Sequence, residues 1–216
     1  MTAQSLLIQR SEMVLRQLKA RGIKEQTVLK AMATVPREVF VPEALLSRAY
    51  EDGPLRIGKG QTISQPYVVA LMIQALELDL RSNVLEIGTG SGYGAAILSR
   101  VAGQVTTIER IGHHAARAST RLKELGFDNI EVIDGDGIQG FEKNAPYDGI
   151  IATACGGEIP SALKNQMKNG GRLVMPVIDG SYSQRLIKLI RRSESKFDEI
   201  DLGPVAFVPL LSGIES

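Results

Sequence analysis

The chain has 216 residues, 44% hydrophobic and 23% charged, which is the balance of a folded globular protein and excludes a disordered or fibrous one. At roughly 150 residues per domain, this length predicts a single domain spanning 1–216. Its 25 Lys and Arg against 24 Asp and Glu leave a net charge of +1, with no block of like charge, so no nucleic-acid footprint is expected.

The first residues carry Arg10, Glu12 and Arg16 among apolar positions at helical spacing, unlike the unbroken apolar core of a signal peptide. No run approaches the roughly 18 apolar residues of a membrane helix, so a cytoplasmic protein without membrane contact is expected. Leu7, Val14, Leu15 and Leu18 are predicted to share one helical face, and a second helix runs from Lys24 to Thr34 until Val35-Pro36 stops it. Residues 1–50 therefore read as an N-terminal helical cap. The next stretch, 51–66, is EDGPLRIGKGQTISQP, dense in Gly, Pro, Ser and Gln, and predicts a long working loop. After a helix from Tyr67 to Glu77, strand-like runs at 83–87, 104–109, 130–134, 148–153 and 171–177 alternate with helical ones. That alternation predicts an α/β, doubly wound Rossmann-like core over 67–216 with a mostly parallel sheet. Gln184 to Arg192 and Val205 to Pro209 follow with no helix between them, which predicts an antiparallel C-terminal edge.

The strongest local pattern is Val84-Leu85-Glu86-Ile87-Gly88-Thr89-Gly90-Ser91-Gly92-Tyr93-Gly94, a strand running into glycines that open a helix. Gly88, Gly90 and Gly92 allow a nucleoside-bearing ligand to approach the backbone closely at the strand ends. Acids stand nearby in the chain. Glu86 precedes the glycines, Glu109 closes the second strand 21 residues after Gly88, and Asp136 follows the third strand in Gly135-Asp136-Gly137. A carboxylate near that spacing suits a ribose. Three converging acids suit a cationic, hydroxyl-rich ligand such as S-adenosylmethionine. The dinucleotide fingerprint G-x-G-x-x-G fits less well, because its sixth position is Tyr93 in one register and Ala95 in the other.

Other patterns carry less. The nucleophile elbow fails at Thr89, and Asn144-Ala145-Pro146-Tyr147 precedes its strand where a nucleic-acid amino-methyltransferase element follows one. His113 and His114 read as a solvated helix face. The single Cys155 excludes an internal disulfide and reads as an inert small residue beside the site, and no metal-ligand spacing is present.

Several longer stretches carry a family resemblance. They are Val35-Pro36-Arg37-Glu38-Val39-Phe40-Val41-Pro42, then Ile57-Gly58-Lys59-Gly60-Gln61-Thr62-Ile63-Ser64-Gln65-Pro66-Tyr67, the glycine turn, Gly135-Asp136-Gly137, Ala145-Pro146-Tyr147-Asp148, Gly170-Gly171-Arg172-Leu173 and Phe207-Val208-Pro209-Leu210. With these the chain resembles the bacterial protein-L-isoaspartate O-methyltransferases over almost its whole length. The resemblance implies a seven-stranded sheet with an unusual order of its last strands. It also implies methyl transfer from S-adenosylmethionine to the free carboxylate of L-isoaspartyl residues in damaged proteins, and a monomer is expected. By the same resemblance Ser64 is the active-site hydroxyl, Thr62, Ile63 and Tyr67 belong to the cofactor and substrate loop, and Gly88, Glu109, Gly135 and Asp136 contact the cofactor. Two departures, Cys155-Gly156-Gly157 and Leu211, bear on the substrate groove. The rival readings are a nicotinamide-dependent (NAD) oxidoreductase, a non-catalytic adenosyl-binding module, and methyl transfer to RNA or a small molecule. An aromatic content of 5% disfavours an RNA groove.

Overall fold

Strands buried on both faces must be apolar almost throughout, and the runs VLEI and GIIA meet that demand at the centre of the sheet. The computed structural model describes residues 2–180 and 183–215. Its sheet is built from β3 (Asn83–Ile87), β4 (Gln104–Glu109), β5 (Ile130–Asp134), β6 (Tyr147–Ala152), β7 (Met167–Ile178), β8 (Gln184–Arg191) and β9 (Phe197–Val205), ordered β5-β4-β3-β6-β7-β8-β9. A separate antiparallel hairpin, β1 (Leu55–Gly58) and β2 (Gln61–Ile63), precedes it. From β5 to β7 all pairs are parallel, and β7, β8 and β9 pair antiparallel. This is the expected mostly parallel α/β fold with an antiparallel edge. Sequence order reverses between β3 and β6, so a crevice opens beyond the carboxyl ends of these two strands.

Helices α1 (Ala3–Glu12), α2 (Gln26–Thr34), α3 (Pro66–Leu76), α4 (Tyr93–Leu98), α5 (Gly112–Glu124) and α6 (Ser161–Asn165) complete the fold. Met13, Leu18, Met32 and Phe40 of the N-terminal segment share one apolar cluster with Ile73 of α3 and with Val84 and Val105 of the sheet. Each such buried side chain contributes about 1.5–3 kcal/mol, so the cap is packed as part of the core. Leu85, Ile87, Ile150 and Leu173 form a second cluster on the opposite face.

Three sequence expectations are corrected here. Leu7 and Leu15 are more than half exposed, while Val14 and Leu18 are buried. The cause is a wide π-helical stretch, Met13–Leu18, which inserts extra residues per turn and rotates the 3.6-residue stripe out of register. Second, the 51–66 segment is a loop only in part, since Leu55 pairs with Ile63 and Arg56 with Thr62 across a tight turn at Lys59-Gly60, both at positive φ. Third, the last strand is Phe197–Val205, and the run after Val205 leaves the sheet instead of forming its edge.

Candidate active site

The crevice at the β3/β6 switch holds a cavity of about 510 Å³, within the 300–1,000 Å³ range of small-molecule sites. Its floor comes from the strand ends: Ile87 ending β3 with Gly88 and Gly90 after it, Glu109 ending β4 with Arg110 after it, and Thr153 and Ala154 after β6. One wall is Gln61, Thr62, Ser64 and Gln65, and the opposite wall is the segment from Pro204 to Leu211.

Backbone shape explains the floor. Gly88 sits at φ +93°, and a Cβ there would lie 2.4 Å from the Thr153 hydroxyl oxygen. That hydroxyl donates to the Gly88 carbonyl at 2.9 Å, tying the turn to the end of β6. The Glu109 carboxylate, 5% exposed, accepts from the Gly90 N–H at 2.8 Å and the Ile111 N–H at 3.0 Å. It is thereby fixed at the cavity edge. A Cβ on Gly137 would meet Ile87 at 2.3 Å, so that lining position also admits only glycine.

Not every expected residue reaches the cavity. Glu86 is 1% exposed and lies beneath α4, where a Cβ on Gly94 would stand 2.2 Å from its carboxyl oxygen. Strand alternation accounts for this, since Ile87 faces the cavity and its neighbour must face the other layer. Thr107 donates to Glu86 at 2.6 Å and is itself 2.7 Å from the Thr89 hydroxyl. Burial, with a smaller contribution from Glu109, pushes the Glu86 carboxyl up to about 8. Asp136 is also engaged, accepting from Ile138 N–H and Gly213 N–H, each at 2.9 Å. Of the three acids expected to converge, only Glu109 lines the cavity. A Cβ on Gly92 would stand 3.4 Å from Leu122, and one on Gly135 3.5 Å from Ile108 and Ile133. Both stand behind the lining.

In the hairpin the same alternation turns Thr62 toward the cavity and buries Ile63 in the core. Tyr67 lies under the Arg21 guanidinium, 3.7 Å from ring centre to carbon, and so flanks the loop from outside. The Ser64 hydroxyl has no hydrogen-bond partner among the described residues, while the Ser64 carbonyl accepts from Arg37 at 2.9 Å. Gln65 donates to Asp52 at 2.7 Å.

The wall from 204 to 211 is where sequence reasoning fell short, because its apolar text reads as a strand. Cys155 N–H donates to Val208 and Leu210 N–H donates to the Cys155 carbonyl, at 2.8 and 2.7 Å, so this strap pairs with the segment after β6. Phe207 exchanges two bonds with the Gln184 side chain. Pro209, which cannot donate to a ladder, is the available signal that the run after Val205 is not a sheet strand, whereas Pro204 is held within edge strand β9 opposite Arg185. Cys155 is buried and burial raises its thiol, while a Cβ on Gly156 would collide with Met175 at 2.7 Å. Leu211 stands half-exposed at the rim.

His113 is exposed, but His114 occupies the core stripe of α5 with Ala115, Ala118 and Leu122, contrary to the solvated face expected for both. Its Nε2 is buried without a partner, and burial lowers its basicity. Neither histidine lines the cavity. Among the described residues its only ionisable lining groups are Glu109 and Arg110, and Arg110 is paired with Glu215 at 2.8 Å.

Comparison with known proteins now bears on this geometry. Residues 9–215 match the family described as Protein-L-isoaspartate(D-aspartate) O-methyltransferase. The chain belongs to that family. A Rhodopseudomonas palustris (strain HaA2) protein-L-isoaspartate O-methyltransferase 1 is 51% identical over 209 residues, covering 97% of this chain and 85% of the relative. A Methanoculleus marisnigri protein-L-isoaspartate O-methyltransferase is also 51% identical, covering 94% and 91%. Among solved structures, a protein-L-isoaspartate O-methyltransferase superposes with a TM-score of 0.86 at 29% identity, covering 95% of this chain and 67% of that one. A Plasmodium falciparum structure described as this methyltransferase in complex with S-adenosyl-L-homocysteine gives 0.77 at 26% identity, covering 92% and 96%. The family assignment removes support from the nicotinamide oxidoreductase and from the non-catalytic binding module.

Proposed function

We infer that this chain is a protein-repair methyltransferase, transferring the methyl group of S-adenosylmethionine to the free carboxylate of L-isoaspartyl residues in damaged proteins. The family match over residues 9–215 carries the reading. The cavity fits the donor: Gly88 and Gly90 present bare backbone at its floor, and Glu109 supplies an oriented carboxylate for ribose hydroxyls. S-adenosylmethionine supplies, when bound, a methyl group on a cationic sulfur.

The rest of the chemistry asks little proton transfer of the protein. An isoaspartyl carboxylate, with a reference pKa near 4, is already ionised at neutral pH and needs no general base. A lining without His, Cys or Lys among the described residues is consistent with that. One carboxylate oxygen gains a bond to the methyl carbon as the methyl–sulfur bond breaks, leaving an ester and a neutral thioether. Opposite charges cancel, so the protein's task is to remove water and align the reacting atoms. The Ser64 hydroxyl is assigned to orient the acceptor by donating a hydrogen bond. Gly88, Gly90, Glu109 and Thr62 are assigned to the donor. Glu86, Gly92, Gly135 and Asp136 support the turns beneath it, and Ile63 and Tyr67 hold the loop.

The proposal includes one domain with its cap at 1–50, its active-site loop at 51–66 and its core at 67–216, a reading supported by the apolar cluster that cap and sheet share. No helix of the described residues is long and apolar enough to cross a membrane. With a single, buried cysteine, a reducing cytoplasmic setting and a monomeric protein acting on damaged polypeptides, without nucleic acid or membrane, complete the proposal. Its test is transfer of labelled methyl to paired peptides, one with isoaspartate and one with aspartate at the same position. Label in the isoaspartyl peptide alone is expected, and equal labelling of both, or of neither, overturns the assignment.

A further inference from the structure

We infer that Arg37 is a positioning residue for methyl transfer, fixing the Ser64 peptide relative to the helix that begins at the glycine turn. The inference rests on the function proposed above. Arg37 is the bulkiest of the completely buried side chains among the described residues. Its Nε donates to the Ala49 carbonyl at 2.8 Å and one terminal nitrogen donates to the Ser64 carbonyl at 2.9 Å. The guanidinium carbon lies 4.9 Å from the ring centre of Tyr93, the first residue of α4 and the neighbour of Gly92. One group therefore touches the end of the cap, the acceptor loop and the element that carries the donor turn.

Stability alone explains this arrangement poorly. The adjacent acid, Glu38, is engaged by Arg10 at 2.8 Å and by the Tyr50 hydroxyl, so carbonyls and a ring face are what answer the Arg37 charge. Its other terminal nitrogen is buried without a partner. A buried charge met in this way stabilises no better than a well-packed apolar side chain of similar volume. What an apolar side chain cannot do is hold two carbonyls from separate segments in one plane. With the Ser64 carbonyl held by Arg37 and the Gln65 side chain held by Asp52, the Ser64–Gln65 peptide is fixed on both sides, and with it the direction of the Ser64 side chain.

The experiment compares Arg37→Lys and Arg37→Met with the unaltered chain in peptide methylation, in S-adenosylhomocysteine binding by calorimetry, and in amide hydrogen exchange. Because a misplacement of about 1 Å costs about a hundredfold, kcat is expected to fall roughly tenfold to a hundredfold, with S-adenosylhomocysteine affinity within about threefold of the parent. In a Ser64→Ala background the further loss from Arg37→Lys is expected to shrink to less than about threefold, since the two act as one unit. Unchanged kcat in both variants, equal losses in kcat and ligand affinity, or fully multiplicative losses in the double variant each overturn the inference. Should Arg37→Met fail to fold, Arg37→Lys decides. If the unaltered chain methylates no isoaspartyl peptide, the functional reading fails separately, and exchange then decides Arg37. Arg37→Lys is expected to speed exchange about tenfold at 61–65 and leave 88–94 unchanged, and equal protection at 61–65 overturns it.

Discussion

The two sides of the cavity are held in opposite ways. On the donor side the ends of neighbouring parallel strands hold one another: the Thr153 hydroxyl straps the Gly88 carbonyl, and the Gly90 and Ile111 N–H groups clasp the Glu109 carboxylate. The acceptor side is held by side chains from outside those parallel strands. Arg37 reaches Ser64, Asp52 holds Gln65, and Gln184 clamps Phe207. A rigid strand end tolerates distant change and little local change. A loop hung on remote side chains tolerates the reverse, so substitutions on the two sides should fail in different ways.

The sharpest break is expected at Gly88. With φ at +93° and a notional Cβ 2.4 Å from the Thr153 oxygen, Gly88→Ala must strain the turn or push Thr153 away. A cost of about 3 kcal/mol corresponds to roughly a hundredfold loss of donor affinity, read by calorimetry with S-adenosylhomocysteine. Binding at the parental level would mean the turn is not the donor's floor. On the acceptor side, Ser64→Ala is expected to slow transfer roughly tenfold to a hundredfold while donor affinity holds, as one hydrogen bond to a charged group is removed. Unchanged turnover would take Ser64 out of the reaction.

A smaller effect is expected at Glu109. Glu109→Gln keeps one oxygen for the Gly90 or Ile111 N–H but weakens the contact to ribose, so donor affinity should fall about tenfold, with less effect on turnover at saturating donor. Glu109→Ala is a poorer probe. It strands two backbone N–H groups at a position 5% exposed, and the fold would suffer along with the site.

What was legible in the sequence divides along the same line. Strands β3, β4 and β5 have the boundaries that alternation and apolar runs predict, and Gly88 and Glu109 stand where a glycine turn and a strand-end acid place them. These are local signals. Glu86 was misplaced because chain proximity to the glycines says nothing about which face a strand residue takes, and Asp136 because its carboxylate is consumed by Ile138 and Gly213. Gly213 lies 77 residues further along the chain, beyond the reach of any local pattern. The strap from Pro204 to Leu211 and the buried Arg37 are likewise products of long-range packing. Ser64 was reached through family resemblance, since a serine before Gln65-Pro66 has no local mark that sets it apart from an ordinary turn.

Glu86 offers the finest test of where the donor side ends. Its carboxyl has its usual value of 4.5 in the unfolded chain and about 8 in the fold, chiefly through burial, so the folded protein keeps a proton that the unfolded chain releases. The unfolded state then binds fewer protons between these values, and stability falls as pH rises from about 4.5 to about 8, flattening above that. Glu86→Gln cannot ionise, yet it still offers an oxygen to the Thr107 hydroxyl. Its stability relative to the parent should therefore improve across that window, by on the order of a few kcal/mol at the alkaline end, read by denaturant unfolding at several pH values. Donor affinity at neutral pH should stay within about twofold, because the carboxyl lies beneath α4 and outside the cavity lining. A large loss of affinity with a parental pH profile would return Glu86 to the donor's contacts and move the boundary between the two sides down into the sheet.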